Sequence, residues 1–433
     1  MIQLTATGHW LLTTDYFKMA TIIPFCGIRP APDKVHLVAS RAVDGYSSSD
    51  LREKLKSNPY SFLHVINPDF NDGKRTRPGS PERLKKVKAR YMQFQEEEVF
   101  VRDPHPCYYI YRQQKLGHVY TGLIACGSID DYFDGLIKIH EQTLTEREEK
   151  LKQYLEVCDF NAEPVLFSYP NDAVIDKLTE EITDGRPAYD FTTTDKVRHT
   201  LWVVDDRSTV SVLETQFKSI PAIYIADGHH RSASSALLGK SRRSLNPNHK
   251  GTEPYNFYLG VFFPETQLKI YDFNRVVHDL HELKEEEFLK KIGEKFILEE
   301  KGSIVYKPAC KHNFSMYLGG KWYSLTPKPG IVHDKEPVGS LDAFILTQHI
   351  LSPILGIHDL KTDKRVGFVS GIKGMEELQN QVDHWKSKVA FGLFPVSMDQ
   401  LKRIADTGNI MPPKTTWVEP KMRSGLVIYS LSE

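Results

Sequence analysis

The sequence predicts an α+β fold, and three observations carry that prediction. Strand-like and helix-like stretches alternate without the regular strand–helix–strand rhythm of a doubly wound sheet. Residues 107–127 read as one antiparallel hairpin, with Tyr108-Tyr109-Ile110-Tyr111 and Val119 to Ile124 flanking a turn near Lys115-Leu116-Gly117. Two helices carry Ser/Thr-x-x-Glu/Gln caps, Thr143 with Glu146 and Ser397 with Gln400.

The elements follow in chain order. Met19 precedes a strand-like Thr21 to Phe25, which makes 1–18 a candidate dispensable tail. Ser47 to Asp50 can cap a helix over Leu51 to Leu55. Asp69 to Glu82 is polar, basic and rich in breakers, so it reads as an exposed loop. A helix from Thr143 to Val157 gets a buried face from Leu144, Leu151, Leu155 and Cys158. Val165 to Tyr169 and Thr200 to Val204 read as strands, with a helix near Ala173 to Asp184 between them. Ile220 to Ala226 is a buried-strand run with Pro221 as a breaker near its start, and Ser232 to Leu238 opens a helix. Gly239 to Pro254 carries Lys240, Arg242, Arg243 and Lys250 among glycines and prolines, and reads as a basic linker rather than a lid. Beyond it, strands such as Phe257 to Phe263 alternate with helices such as Glu285 to Phe296 and Met398 to Asp406. This divides the chain into the tail (1–18), an N-terminal α/β section (19–105), a central core (106–250) and a C-terminal α+β section (251–433) that contributes to the pocket.

The chemistry concentrates where the Ile220 to Ala226 strand turns into a helix, at Asp227-Gly228-His229-His230-Arg231. Such a turn presents backbone N–H groups and the positive end of a helix dipole, which favours an anion. Gly228 lets the anion approach the main chain. Two imidazoles and a guanidinium add donors and charge. Asp227 offers a carboxylate to hold a metal ion or accept a proton. Asp-Gly also serves plain turns, but four chemically capable residues around one glycine at a strand end favour a phosphate-handling site.

Composition narrows the alternatives. Lys plus Arg and Asp plus Glu both number 56, so no charge surplus calls for nucleic acid or an anionic membrane as partner. The five cysteines show no metal or redox spacing, which fits a reducing, cytoplasmic setting. There is no membrane-length apolar run, no Gly-x-x-x-x-Gly-Lys-Ser/Thr, no Gly-x-Gly-x-x-Gly and no His-Glu-x-x-His.

Ile223 to Arg231 resembles the phosphate-binding box of the ParB/sulfiredoxin superfamily, in the form carried by its free serine kinases, and His140-Glu141-Gln142 before a helix is similar to the box whose Glu is their catalytic base. The whole chain from Ile22 to Tyr429 resembles the DUF1015 family, through segments such as Asp272 to Val277, Thr362 to Arg365 and Ile410 to Leu426. The resemblance implies a ParB/sulfiredoxin-like core and a cytoplasmic, Mg²⁺-dependent kinase of serine biosynthesis. It would pass a phosphoryl group from pyrophosphate or a nucleotide to free L-serine. Glu141 would be the base, Asp227 would bind Mg²⁺ or orient the nucleophile, and Gly228, His229, His230 and Arg231 would hold donor phosphates. His140, Asp44, Asn274, Arg275, Arg365, Lys373, Lys414, Lys421 and Arg423 are further pocket candidates, with Lys364 beside Arg365. Leu144 and Leu151 stand where the family pattern favours Arg, Ala42-Val43 where Pro-Tyr precedes the Asp44 position, and Ser370 and Lys373 where Gly and Arg are usual. The alternatives are a ParB-like nucleotide-binding or nucleotide-hydrolysing protein and an inactive diverged paralogue. A sulfiredoxin-like reductase would need a Cys inside the box, where His229 stands.

Overall fold

Two sheets organise the chain, and the larger one carries the motif region. The computed structural model describes residues 19–384 and 387–432; the candidate tail 1–18 lies outside them. The first sheet is built from β1 (Ile22–Ile23), β2 (Tyr108–Lys115), β3 (His118–Ser128), β4 (Ile137–Lys138), β5 (Val165–Tyr169), β6 (Tyr189–Thr192), β7 (Arg198–Val204), β8 (Ile223–Asp227) and β9 (Phe257–Pro264). Its order is β4-β8-β5-β9-β3-β2-β7-β6, with β1 paired to β3. Only the β4–β8 and β5–β9 pairs are parallel. This mixture is what the absence of a strand–helix–strand rhythm predicts, and the fold is α+β.

Both faces of this sheet are covered, so its strands read as continuous apolar runs instead of alternating ones. Period-2 geometry still sorts them: Tyr108 and Ile110 pack in one core and Tyr109 and Tyr111 in the core on the other face. The second sheet is antiparallel throughout, in the order β11-β13-β12-β15-β10-β14, from β10 (Phe273–Val277), β11 (Phe296–Gly302), β12 (Phe314–Leu318), β13 (Lys321–Pro327), β14 (Val366–Ser370) and β15 (Val389–Gly392). Its strands face two cores, with Met316 and Val277 on one side and Tyr317 and Val276 on the other.

The 107–127 hairpin, the strand Val165–Tyr169 and the Ser397–Gln400 capping box stand as expected. Elsewhere the structure corrects the sequence reading. The helix after the His140-Glu141 stretch, α1 (Thr145–Cys158), is not capped by Thr143; its N-cap is Leu144, whose side chain is exposed and not part of a buried face. The Leu144 N–H donates to His230 Nε2 at 3.1 Å, so an imidazole from another element takes the first contact. The helix after the Asp-Gly turn, α2 (His229–Leu245), begins three residues earlier than expected and takes in the first part of the supposed linker, up to Leu245. Arg242 and Arg243 are ion-paired to Asp159 and Asp130 at 2.8 and 2.5 Å. The Asp69 to Glu82 loop contains a helical turn, Asp69–Asp72, and Asp69 draws in Arg83 at 2.6 Å.

Gly239 explains how α2 continues despite a weak helix former. A β-carbon there would run into the Ile129 side chain and the Tyr255 carbonyl. Gly239→Ala, normally favourable in a helix, is therefore expected to destabilise by about 1–3 kcal/mol through overpacking. A lowered denaturant midpoint at unchanged slope would show it.

The C-terminal segment is a strap over the first sheet. Met411 N–H donates to the His140 carbonyl at 2.9 Å, Gly425 N–H to the Ala162 carbonyl at 3.1 Å, and Ile428 pairs with Ile28. Among the described residues, no helix is long and apolar enough to cross a membrane.

Candidate functional site

Strand register builds the site. β4 and β8 run parallel, with Ile137 opposite Ile223 and Lys138 opposite Tyr224. The pairing ends at Lys138, three residues before Glu141, and Asp227 closes β8; the two carboxylates are near enough for the charge of Asp227 to act on Glu141. A β-bulge between Ile225 and Asp227 interrupts the pairing with β5 and re-aims the end of the strand, as bulges beside sites do. Gly228 then adopts a φ of 105° and α2 starts with no side chain capping it. Seventeen aligned residues aim the positive helix end at this edge.

Asp227 sits between two cations, Arg231 Nη2 at 2.9 Å and Lys421 Nζ at 3.2 Å. Burial favours its neutral form, but Lys421 and Arg231 outweigh that and hold its pKa below the ordinary carboxylate value. Arg231 is steered by the Pro164 carbonyl at 2.5 Å. A β-carbon on Gly228 would stand 3.0 Å from the Arg231 guanidinium. Gly228→Ala is expected to cost about 1–3 kcal/mol from strained backbone alone and to weaken anion binding by pushing Arg231 aside, read from an unfolding curve and a pyrophosphate titration.

Glu141 behaves oppositely. Burial and the charge of Asp227 push its pKa up, against the pull of Lys414, Arg147 and Lys361. The start of α1 favours a charged carboxylate; burial and a like charge oppose that. His229 Nδ1 lies 3.5 Å from Glu141 Oε2, and His229 Nε2 faces the His140 N–H at 3.4 Å. That acceptor role leaves the ring proton on Nδ1, toward Glu141. The His140 and His229 rings meet edge to face at 4.5 Å. Burial keeps both neutral, lowering His140 to about 4 and His229 well below the ordinary imidazole value.

The two imidazoles of the turn both have partners within the chain. His229 is buried against Glu141 and His140, and His230 caps α1. The open cations are elsewhere. Met411's bond to His140 fixes Pro412-Pro413-Lys414 beside Glu141, and Lys421 reaches Asp227 across the Trp417 ring at 4.7 Å. Arg147 and Lys361 were missed by sequence reasoning, although both charges act on Glu141 and His230. Arg147 had a signal, since it lies in the first turn of α1; Lys361 had none.

Several pocket candidates are engaged otherwise. Arg423 pairs with Asp195 at 2.8 Å and contacts His199 at 3.2 Å, anchoring the strap. Arg365 is held by Asp363 at 2.8 Å and by the Leu355 and Gly356 carbonyls. Asn274 bridges Asp272 and the Leu393 N–H inside the second sheet. Arg275, fully buried, donates to main-chain carbonyls, with no ion pair to a carboxylate among the described residues. Lys373 closes a 3-10 turn after β14, and Lys364 is exposed beside Arg365. Asp44 lies in the turn Val43–Gly45, shortly after the Ser40–Ser424 bridge.

The family described as "Protein of unknown function (DUF1015)" matches residues 22–344. The chain belongs to that family. No curated protein matches it. Among solved structures, it is similar to a glutamate-to-glutamine variant of a free serine kinase in complex with AMP, at 11% identity and a TM-score of 0.37, covering 72% of this chain and 92% of that one. It is similar to a conserved hypothetical protein from Pyrococcus furiosus at 12% identity and a TM-score of 0.34, over 72% and 95% of the two chains. A C-terminally truncated SbnI from Staphylococcus aureus matches at 13% identity and a TM-score of 0.36, over 71% and 87%.

Proposed function

We propose that this DUF1015 protein is a phosphotransferase that moves a phosphoryl group from pyrophosphate, or from a nucleotide, to the hydroxyl of free L-serine, giving O-phosphoserine. The observation that supports the reading is the turn that opens α2: its His229 lies 3.5 Å from Glu141, a carboxylate of raised pKa, and its Asp227, of lowered pKa, is flanked by Arg231 and Lys421. Two carboxylates driven apart in pKa divide into a proton acceptor and a permanent anion. The choice of serine follows the resemblance of the two boxes at 140–142 and 223–231.

Phosphoryl transfer needs positioning and charge neutralisation more than covalent help. The α2 N-terminus, Arg231, Lys421 and Lys414 would receive the donor phosphates. Glu141, steadied by His229, would take the acceptor's hydroxyl proton as that oxygen bonds to the terminal phosphorus. The bond from phosphorus to the bridging oxygen then breaks, and with pyrophosphate the leaving group is orthophosphate.

Mg²⁺ fits this set. Among the described residues no group of three or more His, Cys, Asp or Glu side chains is placed to hold a metal. That suits an ion usually held by one or two carboxylates together with substrate phosphates. Asp227 is the carboxylate that would hold it, and the bound ion would neutralise phosphoryl oxygen charge.

The test is ³¹P NMR of the full chain with L-serine, Mg²⁺ and, in parallel, pyrophosphate, ADP, ATP or CTP. A phosphoserine resonance is expected with one of them. Its absence with every donor overturns the reading, and CTP hydrolysis without phosphoserine would replace it with nucleotide hydrolysis.

A further inference from the structure

We propose that Arg275, in the second sheet, is a positioning residue for the anion pocket at the edge of the first: it fixes where Lys414 stands and, with Phe273, where Lys421 stands. The inference rests on the anion pocket of the proposed function, but not on serine as acceptor.

Arg275 is fully buried, and a buried guanidinium without a carboxylate is costly to keep. Burial lowers its pKa to about 9, so it still carries charge at neutral pH. Its donors go to the carbonyls of Lys414 at 2.9 Å, Pro413 at 3.5 Å and Phe273, while its flat face packs on Phe368 at 5.0 Å. Only a rigid fork of donors reaches several carbonyls at once. The residue it holds is strained: Lys414 has a φ of 55°, in the left-handed region. Such a conformation is unfavourable for a non-glycine residue and persists when its surroundings enforce it. The Met411 bond to His140 ties the same segment to the Glu141 side.

A second line of contacts runs from the same strand face. Phe273 and Arg275 are two residues apart on β10, so both side chains project to one side. Lys414 Nζ stands 5.6 Å from the Phe273 ring centre, Phe273 meets Trp417 at 5.9 Å, and Lys421 lies 4.7 Å over Trp417. Lys421 ends on Asp227 at 3.2 Å. One strand thus sets a cation on each of the two site carboxylates, Lys414 near Glu141 and Lys421 on Asp227.

The experiment compares wild type with R275M, R275K, K414M and the R275M/K414M pair. Pyrophosphate binding is read by calorimetry and the strap by hydrogen exchange of a 408–420 peptide. R275M is expected to weaken pyrophosphate binding about tenfold, to match K414M, and to add little to it in the double variant, as coupled residues do. R275K should recover part of the loss, and the peptide should exchange faster in R275M while first-sheet peptides do not. A purely structural arginine would lower thermal stability without that coupling. Unchanged affinity in folded R275M, fully additive losses, or wild-type protein that binds no pyrophosphate would overturn the proposal. Wild type that binds pyrophosphate with the expected coupling, yet makes no phosphoserine, would sink only the kinase reading.

Discussion

Glu141→Gln is expected to slow phosphoserine formation by about 10²–10⁴-fold, the usual contribution of a positioned general base. The amide keeps the shape and the His229 contact but cannot take a proton. In the wild type, burial and Asp227 raise the Glu141 pKa, so the acid limb of kcat/KM should lie above the ordinary glutamate range: protonation from the acid side switches the base off. The stability consequence has the opposite sign. With its folded pKa above its unfolded one, Glu141 binds protons more tightly in the native state, so stability falls as pH rises through that window. Above it the charged carboxylate opposes folding. The Gln variant should therefore melt no lower than wild type at neutral pH while losing activity. Activity retained within a factor of about ten would remove Glu141 from the role of base.

The fold class and the succession of strand, turn and helix at 223–238 were legible because they rest on local signals: apolar runs, a glycine at a strand end, small residues in the helix; its extension to Leu245 was read as linker. The 397–400 capping box was legible for the same reason. The start of α1 was not, because its cap comes from His230, 86 residues away in sequence. The two acidic residues were readable one by one, but what brings their segments together is a two-residue parallel strand, Ile137–Lys138, too short for any periodicity. The basic candidates divide through a related ambiguity. Lys421 reaches the site while Arg423, two residues later, is spent on Asp195, and spacing alone does not say which cation finds an anion of the chain itself. Lys361 enters from a loop whose neighbour Arg365 looked the stronger candidate, yet Arg365 has its donors filled by Asp363 and two carbonyls.

Asp227→Asn should separate binding from turnover. The carboxylate is flanked by Arg231 at 2.9 Å and Lys421 at 3.2 Å, so it cancels part of the positive field that a phosphate would meet. Replacing it with a neutral isostere frees both cations. Pyrophosphate measured without Mg²⁺ is then expected to bind more tightly, and the gain should shrink as salt screens it. Turnover should still fall, by about 10²–10³-fold, the scale of losing one preorganised electrostatic element of a site. The residual activity carries a further signature. Asp227 is one of the causes that raise the Glu141 pKa, and Lys414 is the first of those that lower it. The acid limb of the pH profile should therefore move down in Asp227→Asn and up in Lys414→Met. Shifts of opposite sign from two substitutions of opposite charge would follow from Glu141 being the titrating group. Limbs that stay fixed in both variants would mean that another group governs the reaction, and the pairing of carboxylates across the β4–β8 edge would lose its mechanistic meaning.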